Sequence, residues 1–152
     1  MNSNTITLKI YLDKHPEIKE IAGKINDNFT EITFLKKDNN GFDITVEEEY
    51  EELILFTETA YHDHFQYDMF DNKEETFDYI FGLIRDLLSN NMRIREIQKN
   101  NVPTKVYLEY NKDGKWEEES SIGILSWVIL NPFAQKKEII YTNNILQKRD
   151  LD

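Results

Sequence analysis

The sequence predicts an α+β domain, a largely antiparallel sheet with two amphipathic helices packed on it. Three observations carry that reading. Short stretches alternate apolar and polar residues with the period of two that a half-buried strand requires. Turn-forming clusters, Asp38-Asn-Asn-Gly41 and Asn111-Lys-Asp-Gly114, separate alternating stretches in the manner of hairpins. Two other segments repeat apolar residues every three or four positions, without the regular strand–helix alternation of a parallel fold. At 152 residues the chain reads as a single domain over 1–152, with a polar tail that frays from about 147.

Each element has its own signal. Ile6, Leu8, Ile10 and Leu12 alternate, which predicts a strand over 5–12. Pro16 suits a first helical turn, where its missing N–H is not needed, and Ile18, Ile21, Ala22, Ile25 and Phe29 follow at helical spacing, so a helix is expected over 16–29. Ile32 and Phe34 open the next strand, and Phe42, Ile44 and Val46 return from the Asp38–Gly41 turn with one wet face. The apolar run Leu53-Ile-Leu-Phe56 reads as a more central strand. Asn72 and Glu75 form a capping-box pattern ahead of Phe77, Ile80, Phe81, Ile84, Leu87 and Leu88, which predicts a helix over 74–88. Residues 92–97, 106–110 and 138–141 complete the strands. Residues 122–130 fit a strand or a short helix ending at Asn131-Pro132.

Composition bounds the function. There is no cysteine, so disulfides and Cys-based zinc sites are excluded. The start of the chain lacks a basic and a long apolar segment, and no apolar run is long enough to span a bilayer, so a cytoplasmic protein without a membrane partner is expected. A net charge of −11 repels nucleic acid and attracts cationic partners. No Gly-rich phosphate loop, H-E-x-x-H or G-x-S-x-G occurs, so an enzyme would have to rely on carboxylates and histidines.

The charge is concentrated. Asp43 to Asp78 holds thirteen Asp or Glu and one lysine, Lys73, and sums to −12; the remaining 116 residues sum to +1. Eight of the nineteen aromatics fall between Phe56 and Phe81. Solubility alone needs no such segregation. Asp43, Glu47, Glu49, Tyr61, Asp63, Phe65, Tyr67, Asp68 and Asp71 are therefore the expected contacts for a basic protein partner, with charge steering the encounter and aromatics holding the complex. The plainer readings are a solvated, aggregation-resistant strand edge for Glu47–Glu52, and a satellite core under the loop for the aromatics.

The same segment carries His62-x-His64. Residues two apart in an extended chain point to one side, so the two imidazoles could share a metal, with Glu58, Asp63, Asp68 or Asp71 adding oxygen. A metal-dependent enzyme built on this pair is the rival to the binding protein, and a structural protein without a small-molecule site is a third reading. The leading expectation is that no cofactor is bound.

Tyr61-His-Asp-His-Phe65, followed by an acidic loop, the helix bearing Phe77, Ile80, Phe81 and Ile84, and a strand pair, resembles small bacterial proteins of the polymorphic-toxin immunity type. The resemblance covers about a third of the chain and carries over no catalytic residue. It implies an α+β protein of the cytoplasm that neutralises a toxin by binding it.

Overall fold

The described residues of the computed structural model, 6–124 and 130–146, form an α+β fold with two antiparallel sheets. The tail from 147 and residues 125–129 of the ambiguous 122–130 stretch lie outside them; Ile122 and Gly123 end a strand. The described residues cluster into two compact units, one drawn from 6–36, 43–57 and 62–84, the other from 37–42, 58–61, 85–124 and 130–146.

The first unit holds a five-stranded meander: β1 (Lys24–Ile25), β2 (Glu31–Phe34), β3 (Ile44–Glu48), β4 (Glu52–Thr57) and β5 (His62–Gln66), neighbours in that order. Alternation decides its faces. Ile32 pairs Val46, Phe34 pairs Ile44, Val46 pairs Leu55, and Leu53 pairs Phe65, all buried on one side. The other side carries Glu31 opposite Glu47, then Ile54 opposite His64. Three helices belong here, α1 (Leu8–Lys14), α2 (Pro16–Ile21) and α3 (Lys73–Leu88), although the last turn of α3 is assigned to the second unit. Phe77, Ile80, Phe81 and Ile84 are buried as the helical spacing predicts, and Tyr11 of α1 stacks on Phe77 and Phe81 with ring centroids 5.2 and 4.9 Å away.

Two expectations are corrected. Residues 8–14 form a helix instead of a strand. Leu8, Tyr11 and Leu12, spaced three and four apart, are its buried face, and a stripe at that spacing overrides the coincident alternation of Ile6 to Leu12. The helix expected over 16–29 ends at Ile21. Gly23 runs so close to Leu35 that any Cβ would clash with it, and Asn26 takes the next backbone donors, accepting the N–H of Thr30 at 2.9 Å and of Glu31 at 3.1 Å. With Phe29 at φ 54°, this is a turn into β2.

The second unit holds β6 (Met92–Lys99), β7 (Val102–Lys112), β8 (Lys115–Gly123) and β9 (Lys136–Tyr141), in the order β8-β7-β6-β9. The β6–β7 and β7–β8 turns rest on positive φ at Asn100, Asn101, Asp113 and Gly114, residues that tolerate that region. Met92, Ile94, Val106 and Leu108 bury one face. On the other, Glu109 accepts from Arg93 Nε at 2.7 Å and Arg95 Nε at 2.6 Å, while the guanidinium groups lie over Trp116 at 4.2 Å and Tyr107 at 3.9 Å. Asn143 binds the backbone of Phe42 twice, which holds 37–42 in this unit.

Phe81→Ala removes a fully buried ring and should cost about 3–5 kcal/mol. The check is the denaturant midpoint at unchanged m-value; a negligible shift would show that this stripe is not the core face.

Candidate functional site

The acidic segment folds around a cleft of about 580 Å³ in the first unit. Its wall is assembled from the β3–β4 turn (Tyr50, Glu51), the end of β5 (Gln66), a single 3₁₀ turn (Tyr67–Met69), Phe70 to Asn72, and Lys73 at the start of α3. Local chemistry fixes each part. The Tyr67 N–H donates to the Glu51 carbonyl at 3.0 Å, joining the 3₁₀ turn to the β3–β4 turn. Asn72 caps α3: its Oδ1 accepts the Glu75 N–H at 3.1 Å, and its Nδ2 donates to Glu75 Oε1 at 2.7 Å.

Glu48 sits beneath this wall. Its carboxylate accepts from Lys73 Nζ at 2.9 Å, from the Leu8 N–H at the start of α1 at 2.7 Å, and from the Tyr67 hydroxyl at 3.4 Å. Only 16% of the Lys73 side chain and 12% of the Glu48 side chain are exposed. The ammonium also lies 4.3 Å from the centroid of the Tyr67 ring. The single lysine of the acidic segment is therefore neutralised internally. By contrast, the carboxylates of Glu51, Asp68 and Asp71 make no ion pair or hydrogen bond among the described residues. Tyr50, 95% exposed, stands beside them. Such an arrangement attracts a cation and offers it aromatic faces.

The expected contacts separate accordingly. Tyr67, Asp68 and Asp71 line the cleft. Glu47 lies on the outer face of the sheet, and exposed Glu49 is in the turn that follows β3. Asp43 accepts the Lys36 N–H at 2.8 Å and closes the β2–β3 hairpin. Asp63 accepts the His64 N–H at 2.9 Å, which occupies a donor of edge strand β5. Tyr61 and Phe65, by contrast, are buried. Tyr61 is 2% exposed and its hydroxyl meets Ser120 Oγ at 3.1 Å, while Phe65 is 6% exposed in the cross-strand pair with Leu53. β5 turns the Phe65 ring to the buried side of its sheet, whereas Tyr61 precedes β5 and is buried in the second unit.

His62 and His64 share the outer face of β5, ring centroids 5.9 Å apart, and both are exposed. His64 Nδ1 lies 3.2 Å from Glu52 Oε2. No three His, Asp or Glu side chains converge as a metal-ligand set among the described residues. Sequence reasoning pointed to the Glu47–Glu52 run and to the aromatics up to Phe70 separately, and did not join Tyr50, Glu51, Gln66 and Asn72 with them into one wall; the signal for the first two was a tyrosine inside a glutamate run, at a position that ends a strand. No protein-family model, curated protein or solved structure matches this chain.

Burial, then the charge and hydrogen bond of Glu48, then the charge of Glu52, raise the Tyr67 phenol well above the ordinary tyrosine range. Stability from this group is complete below about pH 10, the unfolded-chain value, and is lost as pH climbs from there toward the folded-state value, because only the unfolded chain releases the proton. Tyr67→Phe should flatten that alkaline decline in urea midpoints. The Tyr110 phenol, raised chiefly by its hydrogen bond to Glu117, should leave a residual slope. A decline equally steep in the variant would place the Tyr67 phenol in free water.

Proposed function

We propose that this protein is a non-enzymatic binding protein of the immunity type, which acts in the cytoplasm by docking a basic toxin-like protein on its acidic face. One observation carries the reading: the cleft gathers three carboxylates that are unpaired among the described residues, beside exposed aromatic surface, while the lysine at its wall is already paired. Hot spots of protein interfaces are enriched in tyrosine and other aromatic area, and an excess of charge of one sign raises the rate of encounter with the other. Among the described residues no helix is long and apolar enough to cross a membrane.

The rival, a metal-dependent enzyme centred on His62 and His64, draws on the shared outward direction of those rings. Stoichiometric metal in the purified protein, lost in His62→Ala with His64→Ala, would favour it.

Binding to a basic partner should weaken as salt rises, mainly through a slower on-rate, and Glu47→Lys with Glu49→Lys should reproduce that loss within about 0.5 kcal/mol of the original stability. Kinetics at low and high ionic strength check this. A partner indifferent to both salt and the reversals would sink electrostatic docking.

A further inference from the structure

We propose that the cleft receives the cationic side chain of a lysine or arginine presented by the protein partner. The proposal rests on the binding-protein reading and names what the acidic face recognises. The walls are aromatic as well as acidic: Tyr50, Tyr67 and Phe70 line the same hollow as Glu51, Asp68 and Asp71. Ring faces attract ammonium and guanidinium groups, and most strongly when a carboxylate stands close by and water is thinned.

The molecule already contains one example of this binding. Lys73 Nζ lies over the Tyr67 ring at 4.3 Å and is held by Glu48 at 2.9 Å, with little of its side chain exposed. A ring and a carboxylate thus suffice at this wall to hold an ammonium largely out of solvent. The carboxylates of Glu51, Asp68 and Asp71 have no such cation among the described residues.

Other occupants fit less well. An anionic ligand meets three carboxylates. A divalent metal needs converging donors, and no three His, Asp or Glu side chains converge among the described residues. A neutral apolar group fills the aromatic part but strips water from the acids without replacing it. A hollow of about 580 Å³ suits a long side chain together with the backbone that carries it. Tyr50, almost wholly exposed at the mouth, is the aromatic surface that such a partner covers.

The test titrates isotopically labelled protein with a short arginine-rich peptide and with its citrulline counterpart, which keeps the shape and removes the charge. Amide shifts should map to Tyr50, Glu51 and residues 66–73 for the arginine peptide and vanish for citrulline. Asp68→Asn with Asp71→Asn should weaken binding about tenfold, and added salt should do the same to the unmodified protein without any substitution. Equal binding of the citrulline peptide, shifts confined to other strands, or no shift at all overturns the proposal. A whole-protein partner separates the two readings. If its affinity falls with the Glu47 and Glu49 reversals but not with the Asp68 and Asp71 changes, the cleft proposal fails and the binding-protein reading stands.

Discussion

One carboxylate, Glu48, ties the first unit together. It lies at the end of β3 and accepts from the Leu8 N–H at the start of α1, from the Tyr67 hydroxyl in the 3₁₀ turn, and from Lys73 at the start of α3. Four elements, drawn from three separate stretches of the sequence, meet at this one side chain. Half-buried charges are costly unless they are paired and their remaining lone pairs are used, and here both oxygens are engaged. The α1 contact is doubly favourable, since a carboxylate at the first turn of a helix meets both a free N–H and the positive end of the dipole.

The same interaction sets the electrostatics. With Lys73 committed to Glu48, the acidic segment has no free cation to offset its carboxylates. Some cations elsewhere are also paired internally: Lys14 pairs with Glu74, and Arg93 and Arg95 both bind Glu109, which is 5% exposed. Unbalanced negative charge therefore remains where Glu51, Asp68 and Asp71 border the cleft. A feature of packing thereby shapes the chemistry that the surface offers a partner.

What was legible in the sequence follows from range. The hairpin at Asp38–Gly41, the α3 stripe and its Asn72 cap are local patterns, and each appears where its residues imply. The segment over 8–14 was ambiguous because Leu8, Tyr11 and Leu12 satisfy a helix while Ile6 to Leu12 satisfy a strand, and tertiary stacking on Phe77 and Phe81 decides between them. Separation into two sheets depends on long-range pairing, which alternation does not encode. At the site, Tyr67, Asp68 and Asp71 were within reach because they are sequence neighbours. Tyr50 and Glu51 join them through the Tyr67 N–H to Glu51 carbonyl bond, and the burial of Tyr61 and Phe65 was not legible because composition does not say which way a ring faces.

The most direct measurement is a double-mutant cycle on Glu48→Gln and Lys73→Met, read from equilibrium unfolding. A coupling energy of about 1–3 kcal/mol is expected for a half-buried pair that shares a network with Tyr67 and α1. Effects that add to within about 0.3 kcal/mol would contradict the claim that this pair both anchors the fold and silences the only lysine of the acidic segment.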